Sequence, residues 1–187
     1  MSNSIIKTHS WFVACLFLFC QSVLASPQAS IQTTENIRWD SSLTLPDIDG
    51  KPHPGLAGAF SGCIGDFLFI AGGANFPDVT PWNGGTKTWW NTLYYKNLND
   101  TSSAWKEIKE ALPSARAYGV SIPLTDGILC IGGCDAKQCY SEVFAIRMHN
   151  GKVEIDKNWP KLPVPLANMT GAKLGNKNLS GRRTRTK

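Results

Sequence analysis

The sequence has little of what marks a nucleic-acid binder or a membrane-spanning protein. Its formal net charge of +5 arises from Lys7 and from the four cationic residues in 182–187, so the rest of the chain is neutral overall. Because nucleic-acid binders carry a basic face on their folded part, we expect no nucleic-acid partner. No apolar run reaches the roughly 20 residues that span a bilayer, which argues against stable membrane insertion.

Histidine is scarce and cysteine lacks metal-site spacing. The three histidines are scattered, and no CxxC pair occurs near them, so we expect neither a metal nor a cofactor. Four of the six cysteines follow residue 25, namely Cys63, Cys130, Cys134 and Cys139. The pattern favours Cys63 and Cys130 as small buried residues of apolar strands. Cys134 and Cys139 are close enough in sequence to meet across a turn, and their pairing stays open.

The first 25 residues have the pattern of a secretory signal peptide. A lone cation, Lys7, precedes an apolar stretch from Trp11 to Phe19, and small residues up to Ala25 suit cleavage before Ser26. We therefore expect an exported protein, located in the periplasm of a bacterium and without a membrane anchor once the signal has been removed.

A short phrase occurs twice in the chain, an apolar run that ends in a glycine pair. It reads FLFIAGG at 67–73 and GILCIGG at 127–133, and the second copy follows the first by 60 residues, close to the roughly 50 of a kelch unit. Turn residues separate short apolar strands, and only 105–112, WKEIKEAL, has helical spacing. The repeat predicts an all-β fold whose glycine pairs mark close backbone approach and whose Tyr140 and Trp159 pack one blade against the next.

Three segments sharpen this match. They are GLAGAFSGCIGDFLFIAGGANFP at 55–77, the tryptophan-rich loop at 74–91, and ARAYGVSIPLTDGILCIGG at 115–133. Together they resemble the cyclically permuted mutarotase family, kelch-repeat relatives of the bacterial N-acetylneuraminate epimerase. The resemblance covers roughly 39–177. It implies a six-bladed β-propeller, of which this chain holds a fragment of about two blades plus the first strand of a third.

The resemblance also implies a function. Members of this family interconvert the anomers of N-acetylneuraminate, a sialic acid, by general acid–base catalysis, without a cofactor or a metal. The family's acid and base are expected in later blades, so no residue here is assigned as catalytic, and we expect the chain as it stands to be inactive. The alternative is a non-enzymatic kelch-propeller module that binds a glycan or a protein.

Five residues are candidates for binding a sialic acid or related sugar. Arg116 opens a strand, where a cation is unexpected unless it faces the central channel or a carboxylate, and an ordinary ion pair at the blade edge is an equal alternative. The loop 74–91 is long for a strand connection, which is typical of functional loops. Its Asn75, Asp78, Trp82 and Trp89 offer hydrogen bonds and a flat apolar face to a sugar.

A third glycine pair is missing where the repeat requires one. Permitted codons for the Lys-Asn-Leu-Ser-Gly-Arg-Arg that begins at Lys177 are AAA AAT CTA TCT GGC AGG AGG, and deleting one A gives Lys-Ile-Tyr-Leu-Ala-Gly-Gly. We therefore hypothesise a one-nucleotide insertion between Lys177 and Asn178; the alternative is a natural basic tail. The predicted division is a signal peptide at 1–25, a partial kelch propeller at 26–177, and an out-of-frame basic tail at 178–187 that we expect to be disordered.

Overall fold

Strands supply nearly all the regular structure of residues 43–175 and 177–181, which are the residues that the computed structural model describes. One turn of 3-10 helix at Pro81–Asn83 is the exception in this part of the chain. The helical spacing at 105–112 is misleading, since it forms a short strand, Lys106–Ile108, and a turn. Within the described residues no helix is long and apolar enough to cross a bilayer. The predicted signal peptide and residues 182–187 lie outside the described residues.

Two four-stranded antiparallel sheets contain most of the strands. The strands are β1 (Phe60–Ile64), β2 (Phe67–Ala71), β3 (Ala74–Asn75), β4 (Thr88–Trp89), β5 (Leu93–Asn97), β6 (Lys106–Ile108), β7 (Val120–Pro123), β8 (Gly127–Ile131), β9 (Val143–His149), β10 (Lys152–Asp156), β11 (Thr170–Leu174) and β12 (Lys177–Gly181). The first sheet has the order β1-β2-β5-β6, the second β7-β8-β9-β10, and β3 with β4 forms a hairpin between β2 and β5. Meandering four-stranded blades are the units of β-propellers, which confirms the prediction of an all-β, kelch-type propeller fragment.

The two blades pack face to face through aromatic and aliphatic side chains. Phe60 of β1 and Phe144 of β9 are 1 % exposed, and their rings meet edge to face with centroids 5.6 Å apart. Burying each such ring contributes roughly 2 kcal/mol. Cys130 is fully buried in this core, as predicted. Cys63 is exposed instead, because it lies on the face of β1 opposite Phe60. A second cluster lies on β7, β8 and β9 of the second blade, and Trp159 packs against it. Packing of one blade against the next by Tyr140 and Trp159 stays a prediction.

The two glycine pairs join each blade to the next. Gly72 and Gly73 have φ of 65° and 91°, and a Cβ on Gly72 would lie 2.6 Å from the carbonyl oxygen of Arg116. The Gly73 N–H donates to that same oxygen at 2.8 Å, and the Gly133 N–H donates to Leu166 at 2.9 Å in the same way. The predicted close approach of backbones at the glycine pairs is therefore confirmed, and it falls between blades.

The start of a third blade is a two-stranded hairpin. In β11 and β12, Thr170 pairs with Gly181 and Leu174 with Lys177. The expectation of a disordered tail thus differs from the structure over residues 178–181, which lie in β12. The physical reason is that a neighbouring strand satisfies the backbone N–H and C=O groups of β11 whatever its side chains are. The domain boundary at residue 177 stays a prediction.

Candidate functional site

A cleft of about 490 Å³ opens where the first blade meets the second, a volume typical of small-molecule sites. Its walls are the segment before β1, the strand β3, the loop after it, and one residue of the second blade. The lining residues are Pro54, Gly55, Leu56, Ala57, Ala74, Asn75, Phe76, Thr80, Pro81, Lys87 and Tyr118. The lining is mainly apolar and brings together one amide, one phenol and one ammonium group.

Lys87 supplies the positive charge of the cleft. Its Nζ donates a hydrogen bond of 2.5 Å to the Tyr118 hydroxyl and lies 5.2 Å from the ring centroid of Trp89. The ion pairs found among the described residues do not include Lys87. A cation that faces a cleft without a carboxylate partner suits an anionic ligand. The cleft therefore offers one positive charge to an anionic group of a ligand.

Tyr118 reaches the cleft from a backbone conformation that few residues adopt. Its φ is 64°, as is that of Gly58, and Asn168 follows at 52°. Each lies two residues before the first strand of a blade or hairpin, so Tyr118 fills a left-handed position that the first blade gives to glycine. A side chain held there costs about 1–2 kcal/mol, and such strain concentrates at functional sites.

Asn75 braces one wall of the cleft. It is 7 % exposed, its Nδ2 donates to the Gly55 carbonyl at 2.9 Å, and its Oδ1 accepts the indole N–H of Trp90 at 2.9 Å. The second blade repeats this brace, because Asp135 Oδ2 accepts the Tyr140 hydroxyl at 2.6 Å. Asn75 therefore keeps only one amide hydrogen for a ligand.

The other loop candidates do not line the cleft. Asp78 is exposed, and Trp82 is 81 % exposed on the 3-10 turn. Trp89 is half-buried in β4, and its Nε1 is buried without a hydrogen-bond partner among the described residues. Trp82 thus exposes its indole outside the cleft lining, and Trp89 lies beneath the Lys87 ammonium. A role in sugar binding stays a prediction for both.

Arg116 is not among the cleft-lining residues. Its side chain is 1 % exposed, and its guanidinium lies 4.0 Å from the ring centroid of Tyr140. Nε donates to Ser114 Oγ at 3.1 Å and Nη1 to Gly132 O at 3.4 Å, while Nη1 lies 3.7 Å from the Glu142 carboxylate. Burial lowers the pKa of Arg116 and Glu142 opposes this shift. These contacts surround the guanidinium with protein groups, so packing between the blades is enough to explain why an arginine lies there. A role of Arg116 in substrate binding stays a prediction.

Of the five predicted binding residues, the structure places only Asn75 in the cleft. The sequence-based search missed Lys87 and Tyr118. A signal for Tyr118 exists in the aligned strands, where LAGAF and RAYGV place it opposite Gly58. Lys87 has no comparable signal, since its importance depends on the contact between two blades.

Comparison with known proteins places the chain in a family. A family model described as N-acetylneuraminate epimerase matches residues 24–155. The N-acetylneuraminate epimerase of Vibrio vulnificus (strain YJ016) is 30 % identical over 63 % of this chain and 32 % of that protein. The one of Salmonella arizonae is 33 % identical over 68 % of this chain and 34 % of that protein.

A solved structure, that of YjhT, is also similar. It has 27 % sequence identity and a TM-score of 0.48 over 60 % of this chain and 33 % of that chain. The chain spans about a third of the length of the curated relatives it matches. Since the family model covers well over half of the residues, the chain belongs to the N-acetylneuraminate epimerase family.

Proposed function

We propose that this chain supplies one wall of the sugar site in an enzyme that interconverts the anomers of N-acetylneuraminate. The proposal depends on the environment of Lys87. Its ammonium faces the cleft, donates a hydrogen bond to the Tyr118 hydroxyl, and has no carboxylate partner among the described residues. A sialic acid carries a carboxylate on its anomeric carbon. An ammonium that binds this carboxylate holds the reacting carbon at a fixed place in the cleft.

Mutarotation needs proton transfer at two oxygens of the sugar. The anomeric hydroxyl loses a proton and the ring oxygen gains one, so a general base and a general acid must flank the bound sugar. Lys87 and Tyr118 position the carboxylate, and Asn75 offers its remaining amide N–H to the rest of the sugar. Trp82, which is exposed outside the cleft lining, offers its indole face to a part of the sugar that extends out of the cleft. Asp78 and Trp89 stay in the proposal as residues beside the cleft, and Arg116 as a buried residue that a ligand would reach only through a site completed by further blades. We assign the acid and base to blades beyond the described residues.

We further propose that the 187-residue chain does not accelerate anomer exchange by itself. The chain spans about a third of its relatives, and a propeller site is built from loops of several blades around one axis. Export to the periplasm is part of the same proposal, supported by the signal pattern of residues 1–25. Mass spectrometry of the expressed chain, with an N-terminus at Ser26, would support export.

Anomer exchange of N-acetylneuraminate, followed by NMR, tests the function. One sample holds the full chain alone, and the other a fusion in which the unmatched two thirds of the Vibrio vulnificus relative follow Leu174. We expect exchange above the uncatalysed rate only in the fusion. Lys87→Met in the fusion is expected to raise KM at least about tenfold, the weight of one charge-assisted contact.

Lys106→Met is the matched control for Lys87→Met. Lys106 also lies near a tyrosine, 5.6 Å from the ring centroid of Tyr95, but it lines a different cleft. The proposal is wrong if both lysine variants change KM equally, or if the fusion folds and binds N-acetylneuraminate without exchange above the uncatalysed rate. The second outcome would support the alternative of a glycan-binding propeller module.

A further inference from the structure

Cys134 and Cys139 face each other across a hairpin in the second blade. They form an isolated antiparallel bridge, at the place where Ala74 pairs with Trp89 in the first blade. The hydrogen bonds on either side of the bridge run from Tyr140 N–H to Gly133 O at 2.8 Å and from Asp135 N–H to Gln138 O at 2.9 Å. No backbone hydrogen bond joins Cys134 to Cys139 themselves.

This pattern identifies a non-hydrogen-bonded antiparallel pair. In such pairs the Cα atoms are about 4.5 Å apart and the side chains project to the same side of the ladder. Disulfides need Cα separations of roughly 4.4–6.8 Å, so the two backbones already stand at a suitable distance. Burial raises the pKa of Cys134, and the neighbouring Cys139 adds to this shift.

We propose that Cys134 and Cys139 form a reversible cross-strand disulfide that stabilises the second-blade side of the cleft, where Tyr118 lies. Both thiols are free in the structure. The backbones of Cys134 and Ala117 exchange two hydrogen bonds: the Ala117 N–H donates to the Cys134 carbonyl at 2.9 Å, and the Cys134 N–H donates to the Ala117 carbonyl at 2.8 Å. Ala117 directly precedes Tyr118 of the cleft. The disulfide therefore links the two strands of a hairpin that is hydrogen-bonded to Ala117, the residue before Tyr118. The inference rests on the hairpin alone and does not depend on the proposed sugar chemistry.

The reaction requires a disulfide oxidant, such as oxidised glutathione. Cys139 is exposed and Cys134 is partly buried, so the Cys139 thiolate attacks the oxidant first. A mixed disulfide forms at Cys139 and one glutathione thiolate leaves. Cys134 then loses its proton to solvent, its thiolate attacks the Cys139 sulfur, and the second glutathione thiolate leaves. Two cysteine thiols are oxidised and one glutathione disulfide is reduced to two thiols.

Other roles for this pair are less well supported. Among the described residues no group of three histidine, cysteine or acidic side chains is placed to hold a metal ion, so the pair has no further ligands for zinc. Cys130 lies nearby in sequence but is fully buried, and burial raises its pKa. It is therefore a poor competitor for the oxidant.

The test is peptide mapping of the full chain after equilibration with reduced and oxidised glutathione. Trypsin cuts after Lys137, between the two cysteines, so the disulfide links peptide 117–137 to peptide 138–147. Fragmentation then distinguishes Cys134 from Cys130 in the first peptide. We expect this link in the native chain, with a formation constant at least about tenfold higher than in concentrated urea, because the folded hairpin holds the thiols together.

Cys63→Ser is the matched control, because Cys63 is an exposed cysteine in another blade, and the link should persist in it. Cys134→Ser should leave Cys139 carrying glutathione, seen as added mass on peptide 138–147. A native chain in which Cys139 carries only glutathione, or in which it links to Cys63, overturns the proposal. Equal formation constants in native buffer and urea overturn it as well. This comparison uses the unmutated chain, so it does not depend on whether the variants fold.

Discussion

The backbone N–H of Tyr118 donates a hydrogen bond of 2.8 Å to the carbonyl of Gly58, and Asn168 donates to Tyr118 in turn, also at 2.8 Å. These three residues occupy the same left-handed position in successive units. The blades are thus joined by a continuous backbone ladder and by a packed core. The ladder explains why the segments before each first strand are similar, since each segment must meet both of its neighbours.

A first prediction concerns the glycine pairs, for which the chain offers a matched comparison. At Gly72 a Cβ would meet a backbone oxygen at 2.6 Å, whereas at Gly151, with φ of 74°, it would meet nothing within 4 Å. Gly151→Ala should therefore lower the free energy of unfolding by about 1 kcal/mol through backbone strain alone. Gly72→Ala should lower it by about 3 kcal/mol or more, because the blades must also separate.

Urea unfolding of the full chain, followed by tryptophan fluorescence, measures both glycine variants. Equal losses in the two variants would show that only the backbone conformation matters at Gly72. The close contact between the blades would then carry no energy of its own.

A second prediction separates packing from ligand binding at Arg116. The backbone carbonyl of Arg116 accepts a hydrogen bond from Gly73, and in the next unit the carbonyl of Leu166 accepts one from Gly133 in the same way. The backbone role of this position therefore does not require an arginine side chain. Arg116→Met keeps an unbranched apolar stem and should cost about 1 kcal/mol, the value of a lost cation–π contact. Arg116→Ala should cost about 3 kcal/mol, because it leaves a cavity between the blades.

The measurement for Arg116 is again urea unfolding, paired with N-acetylneuraminate affinity in the fusion protein. A Met variant that keeps its stability but loses affinity by tenfold or more would show that Arg116 contacts the sugar. Unchanged affinity would leave packing as its role.

A third prediction concerns the brace at Asn75. Asn75→Ala leaves the Gly55 carbonyl and the Trp90 indole N–H without their partner. Both hydrogen bonds are partly buried, so each loss should lie toward the low end of the about 1–3 kcal/mol that an unsatisfied buried group costs. Asn75→Asp keeps an oxygen for Trp90 and matches the Asp135 of the second blade, so it should cost less than the Ala variant. Thermal unfolding of both variants tests this order, and a more stable Ala variant would contradict it.

The sequence was informative about the repeat and less so about the cleft. The glycine pairs and the blade strands could be predicted because each depends on local pattern and on the repeat itself. The helical spacing at 105–112 does not correspond to a helix, since Lys106–Ile108 pairs with β5 and this contact overrides helical spacing. Tertiary contacts decide such short segments.

The site was predicted from residue chemistry, and this approach favoured Arg116 over Lys87. Both are cations near aromatic side chains, and only the packing of the blades distinguishes them. Arg116 is enclosed by Tyr140, Gly132 and Ser114, whereas Lys87 faces the cleft. The sequence of a single blade cannot predict that Arg116 is enclosed and Lys87 is open to the cleft, because both environments form where two blades meet.

A last prediction concerns His53, which is hydrogen-bonded to the cleft residue Gly55. Its Nδ1 accepts the Gly55 N–H at 2.9 Å, and its ring lies edge-on to Tyr94 with centroids 5.9 Å apart. Burial lowers the pKa of His53, and the Glu107 carboxylate opposes this shift. When the folded pKa is below the unfolded value of about 6.5, the unfolded chain takes up the proton first as the pH falls. The free energy of unfolding should therefore decrease as the pH drops below about 6.5 and level off below the folded pKa.

Urea unfolding at about pH 7.5 and about pH 5.5 measures this loss in a window above the range in which carboxylates ordinarily titrate. The pKa values of Asp100, Asp135 and Asp156 are lowered, so these groups add little there. His53→Gln is the control, since its amide does not titrate, and the variant should lose the pH dependence that His53 causes. Because Gly55 lines the cleft, ligand affinity in the fusion should fall over the same range. A variant that keeps the full pH dependence would assign the proton to another group.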